Sequence, residues 1–182
     1  MPSPVEQIPQ TTQDFLVFKE LLYQLVVENK YQRVLETGTD VGDSTRIFST
    51  ALQHTSGSLV TIDLKPPVGN WHESWPVKNI QFVQGDSRQL RLNQPIDLLF
   101  LDDHTGETDA YTHVKAELET LGVWVRKGGK IVVDDSWHQQ LGEGTWKAVR
   151  EFCRAQQLAY TDYPQGHGIM IIEVTHELVR KP

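Results

Sequence analysis

The chain carries one cysteine, Cys153, in 182 residues, so no disulfide can close within it. That fits a reducing compartment and sets the expectation of a cytoplasmic protein. Val149, Phe152 and Leu158 surround the cysteine in sequence, which reads as a packing thiol and not a nucleophile. No run approaches the ~18 apolar residues of a membrane span, and the first residues lack the basic-then-apolar pattern of a leader. Basic runs are also missing, and the net charge is −7. Phosphate neutralisation needs clustered Lys and Arg, so neither nucleic acid nor a membrane surface is the expected partner. The adjacent pair Arg126 and Lys127, before Gly128 and Gly129, reads as the cationic end of a helix. There is no G-x-G-x-x-G and no G-K-[ST], which removes the dinucleotide fingerprint and the phosphate loop. Repeats and low-complexity segments are absent as well, and the length suits one domain over 1–182.

What is present begins at Glu36-Thr37-Gly38-Thr39-Asp40-Val41-Gly42-Asp43-Ser44-Thr45. It follows the apolar run Arg33-Val34-Leu35 and opens a helical pattern bearing Ile47, Phe48, Ala51 and Leu52 on one face. A strand, a glycine turn and a helix bring backbone N–H groups and a helix N-terminus to a ligand. Gly38 and Gly42 allow the sharp turn. A carboxylate at Glu36 would repel a pyrophosphate and welcome an amino group or a cation.

Residues 1–11 carry three prolines and read as a loose arm, followed by an amphipathic helix from Asp14 to about Asn29. A catalytic core is expected over 30–175. In it, apolar runs Val34–Thr37, Leu59–Ile62, Ile80–Val83, Ile96–Leu101 and Lys130–Val133 alternate with helical patterns Asp43–His54, Tyr111–Val125 and Thr145–Gln156. Such alternation predicts a parallel sheet covered by helices on both faces. Ala159–Tyr163 and Ile169–Val174 are joined only by Pro164-Gln-Gly-His-Gly168, too short for a parallel crossover, so the last strand should run antiparallel. Trp124 and Trp146 read as helical core residues. Trp71, Trp75 and Trp137 lie in loops after strands and could wall a pocket.

Several strands end on acidic residues: Asp63 about twenty residues past the glycine turn, Gly85-Asp86-Ser87, Asp102-Asp103 and Asp134-Asp135. A carboxylate at Asp63 can accept hydrogen bonds from both hydroxyls of a ribose. The last two pairs should sit on neighbouring strands ~4.8 Å apart, where like charges raise pKa values or recruit a cation. Oxygen ligands alone favour Mg²⁺, Ca²⁺ or Mn²⁺.

The E-x-G-x-x-x-G-x-S stretch resembles the first motif of class I S-adenosylmethionine (SAM) methyltransferases, in the small-molecule O-methyltransferase branch. Asp97-Leu-Leu-Phe-Leu-Asp-Asp, Gly128-Gly-Lys-Ile-Val-Val-Asp-Asp and Gly144-Thr-Trp-Lys-Ala-Val-Arg-Glu-Phe are similar to the metal-dependent members, including bacterial cephalosporin-hydroxylase-like proteins. The resemblance implies a Rossmann-like, doubly wound, seven-stranded α/β sheet, mostly parallel with an antiparallel C-terminal hairpin. It implies SAM held by Glu36, Gly38, Thr39, Gly42, Ser44, Asp63, Asp86, Ser87 and Asp102, and Mg²⁺ held by Asp102, Asp134 and Asp135. The methyl acceptor would be a small hydroxylated molecule. Catechol-type relatives place a lysine base where this chain has Asp103-His104-Thr-Gly-Glu-Thr-Asp, so His104 becomes the expected base, assisted by Asp102, with His138 second. A metal-independent methyltransferase and a non-catalytic SAM-binding protein stay open beside this reading, and the N-terminal helix offers a face for a homodimer.

Overall fold

A computed structural model describes residues 8, 14–67, 79–102, 109–138 and 142–179, with side chains in the first helix from residue 17 onward. Trp71, Trp75, Asp103 and His104 lie outside the described residues. The elements run α1 (Asp14–Asn29), β1 (Arg33–Thr37), α2 (Asp43–Thr55), β2 (Ser58–Asp63), β3 (Ile80–Gln84), β4 (Ile96–Leu101), α3 (Ala110–Thr120), β5 (Val125–Val133), α4 (Gly142–Gln156), β6 (Ala159–Tyr163) and β7 (Ile169–Glu173).

Seven strands form one sheet in the order β3-β2-β1-β4-β5-β7-β6. The first five pair in parallel, and β7 runs antiparallel to both β5 and β6, as the short hairpin link predicts. The chain winds outward from β1 through β2 to β3, then returns to lay β4 on the other side of β1. Between the carboxyl ends of β1 and β4 lies the crevice in which open α/β sheets bind ligands.

Central strands are apolar on both faces because both faces are covered. In β4, Leu98 and Phe100 join the layer of α1 and α2, with Phe18, Leu22, Phe48 and Leu52. Leu99 and Leu101 face the layer of α3 and α4, with Val114, Leu118, Val149 and Phe152. The two-residue period of the strand thus divides one apolar run between two cores. Cys153 packs in the second core, where burial pushes its thiol up to about 12. The apolar side of α1, through Leu22, Leu25 and Val26, is buried in the first core of its own chain.

Three readings of the sequence need correction. Arg126 and Lys127 do not end a helix; they lie in β5, which begins at Val125. Helix α3 stops at Thr120, and Gly122–Trp124 forms a separate 3₁₀ turn. Leu121, Val123 and Trp124 still pack on the second core, so the apolar period continues past the end of the helix. Trp146 is not a core residue. The buried side of α4 is Thr145, Ala148, Val149, Phe152 and Cys153, which leaves Trp146 exposed with the Arg150 guanidinium 4.2 Å from its ring.

Candidate active site

The turn after β1 is built from left-handed backbone at Gly38 (φ 83°), Asp40 (φ 40°) and Gly42 (φ 80°). Glycine removes the steric cost at two of these positions. Four N–H groups of this turn have acceptors within the protein: Gly38 donates to the Ile62 carbonyl at 2.9 Å and Gly42 to that of Thr39 at 2.7 Å. Thr39 and Asp40 both donate their backbone N–H to Asp63 Oδ2, at 2.9 and 3.1 Å, and Lys65 donates to Oδ1 at 3.0 Å. Asp63 therefore ties the turn to the end of β2 while staying half-exposed at the crevice. The expectation of backbone N–H groups offered to a ligand is corrected here for these four, because carbonyls and a carboxylate already take them.

Glu36 is fully buried under the first turn of α2. Ser44 Oγ donates to its Oε1 at 2.6 Å and Thr45 Oγ1 to its Oε2 at 2.5 Å. Burial pushes this carboxyl up to about 7, against the hydroxyls of Ser44, Thr45 and Thr61, while the charge of Asp63 adds to the rise. With no side-chain cap at Gly42, the link from Glu36 to Ser44 and Thr45 is what fastens the helix start to the strand.

After β3, the Asp86 carboxylate caps a short 3₁₀ turn, Ser87–Gln89, and is gripped by Arg88 through Nε and Nη2, each at 2.8 Å. The guanidinium holds the Asp86 carboxyl below the usual carboxylate range. Ser87 is buried.

Asp102 leaves β4 with its N–H on the Thr37 carbonyl at 3.1 Å, and Asp134 leaves β5 with its N–H on that of Leu101 at 2.9 Å. The two thus stand on neighbouring strand ends, as the sequence predicts. Asp135 takes a left-handed backbone (φ 59°) and directs Oδ1 to His167 Nδ1 at 3.4 Å. Among the described residues, no three His, Cys, Asp or Glu side chains group closely enough to hold a metal ion.

The β6–β7 hairpin supplies residues that the sequence reading did not place at this edge. Ser136 and Trp137 donate backbone N–H groups to the carbonyls of Gly168 and His167, at 3.1 and 2.6 Å. Trp137 Nε1 donates to both carboxylate oxygens of Asp162 at 3.0 Å, which fixes an indole that is 55% exposed. The ring of His167 meets that of His138 edge-on, with centroids 4.8 Å apart. Gly168 is required at this junction: a Cβ there would stand 2.4 Å from Trp137 Cδ1, on a backbone with φ +78°. The only sequence signal was a histidine flanked by glycines in the hairpin link.

A family model described as a methyltransferase domain matches residues 35–136, which span β1 to the loop after β5. The chain belongs to this methyltransferase-domain family. No curated protein matches it. Among solved structures it is similar to the S-adenosylhomocysteine-bound methyltransferase PaMTH1 of Podospora anserina, at 14% identity and a TM-score of 0.75, covering 96% of this chain and 89% of that one. The O-methyltransferase TomG of Streptomyces achromogenes, solved with SAM, is 19% identical with a TM-score of 0.60, over 96% of this chain and 91% of that one. MycE of the mycinamycin biosynthetic pathway, solved with Mg, S-adenosylhomocysteine and mycinamycin VI, is 19% identical with a TM-score of 0.65. That match covers 88% of this chain and 50% of MycE. At these identities the likeness speaks for the fold, and the crevice of this methyltransferase lies at the same switch point that its topology defines.

Proposed function

We propose that this methyltransferase transfers the methyl group of SAM to a hydroxyl oxygen of a small molecule. The observation that carries the reading is the edge at the switch point, where Asp63 rims the crevice and the glycine turn spends its N–H groups internally. Such a rim suits a ligand that offers hydroxyls and positive charge, and it offers little to a pyrophosphate. SAM fits that description with its ribose hydroxyls, its ammonium and its sulfonium. Asp63 would accept from the ribose, Asp86 and Ser87 would line the adenine side, and Asp102 would face the cationic end. Gly38, Thr39, Gly42 and Ser44 shape the turn, with Glu36 fixing Ser44 from below.

When bound, SAM supplies a methyl group already activated by the sulfonium. The protein's work is then to hold an acceptor oxygen in line and to receive its proton. Trp137, pinned by Asp162, offers a fixed apolar plane for the acceptor, and His138 stands beside it. His104, outside the described residues, is proposed as the proton acceptor, with His138 as the alternative.

Magnesium assistance through Asp102, Asp134 and Asp135 is the finer reading. MycE carries Mg in its structure. In the present chain Asp135 faces His167, and among the described residues no three such side chains group closely enough to hold the ion. Among the described residues no helix is long and apolar enough to cross a membrane. The lone buried thiol of Cys153 suits a reducing compartment, and a cytoplasmic location is proposed on that ground. Calorimetric titration with SAM and with S-adenosylhomocysteine tests the cofactor, followed by an acceptor screen with and without EDTA. Saturable binding of both and turnover on a hydroxylated acceptor are expected. Absence of SAM binding overturns the reading. Turnover that EDTA abolishes and Mg²⁺ restores would establish the metal.

A further inference from the structure

The amino edge of the sheet, opposite the crevice, holds a polar cavity of about 510 Å³. Its walls are the start of β1 with Lys30 and Arg33 before and on it, the turn Ser56-Gly57-Ser58 into β2, and Arg126 from β5. Asp97 closes the floor and is itself satisfied. Its Oδ2 accepts the backbone N–H groups of Gln32 and Arg33 at 2.7 and 2.8 Å, and its Oδ1 takes Arg126 Nε. Three cations against one carboxylate leave two formal positive charges around this cavity, set against the carboxyl ends of α1 and α2 that reach the same edge, in a chain whose net charge is −7.

Two of those cations are not spent. Neither the Lys30 ammonium nor the Arg33 guanidinium has a hydrogen bond or an ion pair among the described residues, unlike Arg46 on Asp43 and Arg88 on Asp86. The turn that faces them is held tightly. A Cβ on Gly57 would stand 2.6 Å from the Gln32 carbonyl oxygen and 2.5 Å from Leu52 Cδ2, so only glycine lets Ser56 and Ser58 lie flush against β1. The backbone N–H groups of Gly57 and Ser58 are taken by the Leu52 and Gln32 carbonyls, which leaves the serine hydroxyls as the polar groups of that wall.

We infer that this amino-edge cavity, lined by Lys30, Arg33, Arg126, Ser56 and Ser58, binds a phosphate group of a small molecule, remote from the methyl-transfer crevice. A guanidinium fork and an ammonium match the several oxygens of a phosphate, and hydroxyl donors complete the set. The cavity is local and open to solvent, and the sequence has no basic run of the kind a nucleic-acid backbone needs. The inference does not depend on the methyltransferase reading, because none of these residues lies at the crevice.

The test is a titration of the full-length protein with inorganic phosphate, inorganic pyrophosphate and glycerol phosphate, at constant ionic strength set with sodium chloride. The amide ¹⁵N–¹H shifts of Gln32, Ser56, Gly57 and Ser58 report on the cavity. We expect saturable shifts confined to these residues. A preference for glycerol phosphate marks an esterified ligand, and a preference for the inorganic anions marks a free one. The double variant Lys30→Gln, Arg33→Gln should weaken binding at least tenfold, with its melting temperature and SAM titration unchanged. Shifts reproduced by chloride alone, no shifts, or a double variant that binds as the parent does would each overturn the proposal.

Discussion

The two edges of the sheet each bury a carboxylate, and they treat it in opposite ways. At the carboxyl edge, Glu36 is enclosed by the hydroxyls of Ser44 and Thr45, and its carboxyl rises to about 7. At the amino edge, burial also acts to raise Asp97, but the backbone N–H of Gln32, the Arg126 guanidinium and the N–H of Arg33 outweigh it, and the carboxyl is lowered. Both side chains are nearly inaccessible to solvent, but Glu36 lies deeper in the protein than Asp97, so burial weighs more heavily on it. The donors differ too: hydroxyls also serve a protonated acid, whereas peptide dipoles and a guanidinium favour only the anion. Charge is thus locked in place at the amino edge and left adjustable at the edge where the cofactor is proposed to bind.

The comparison breaks most readily at Asp97. In Asp97→Ala, two backbone N–H groups and the Arg126 guanidinium lose their acceptor. Arg126 is 42% exposed and recovers part of its loss from water, so the main cost comes from the two N–H groups. Stability should fall by about 2–4 kcal/mol in urea unfolding. A variant as stable as the parent would remove Asp97 as the structural hub of that edge.

Glu36 should show itself through pH. Its folded value of about 7 lies above the ordinary glutamate value of 4.5, so the folded state holds an extra proton between the two. That contribution is fully present below the lower value and is lost as pH rises through the higher one. The loss amounts to at most about 3 kcal/mol. Glu36→Gln, which stays neutral, should flatten the decline measured by urea unfolding between pH 5 and about 8. Parent and variant curves that run parallel across that range would mean Glu36 is ionised in the folded protein.

The same contrast explains what could be read from the sequence. Strands β4 and β6 matched their apolar or alternating runs from end to end, since a fully covered strand needs an unbroken run and a hairpin needs a short link. Acidic residues at strand ends pointed to the crevice because a parallel sheet places those ends side by side. The amino-edge hub was not legible: Asp97 meets Gln32 and Arg126 across 65 and 29 residues, with no motif joining them. His167 and Asp162 escaped for a related reason. They reach the β5–α4 loop only because β7 inserts between β5 and β6, and a sequence offers no register for that pairing. The start of β5 was masked by the glycines and cations that also mark helix ends.

At the crevice, Asp63→Ala should weaken SAM binding by ~1.5–3 kcal/mol, the scale of hydrogen bonds to a charged group. The same change frees the N–H groups of Thr39 and Asp40, so the melting temperature must be followed alongside. Parental affinity measured by calorimetry would take the ribose away from Asp63. A loss in stability with affinity unchanged would leave Asp63 as a clamp on the turn alone.

The smallest effect belongs to Arg88, and it isolates what burial contributes. Arg88 grips Asp86 with the same guanidinium chemistry that Arg126 brings to Asp97, and in both pairs the carboxyl is lowered. Yet Arg88 and Asp86 keep 32% and 19% of their side chains in water, and Asp86 holds only the short turn that it caps. Solvent screens such a pair, and pairs of this kind contribute ~0–1 kcal/mol. Arg88→Gln should therefore cost less than ~1 kcal/mol near neutral pH. The lowered Asp86 carboxyl contributes stability that is present above its unfolded value and lost as pH falls through the folded one. Whatever difference exists between parent and variant should accordingly shrink in acid. Urea unfolding at pH 7 and at about pH 3 measures both points. A loss at neutral pH as large as that of Asp97→Ala would show that guanidinium geometry, and not the burial of the hub, separates the two edges.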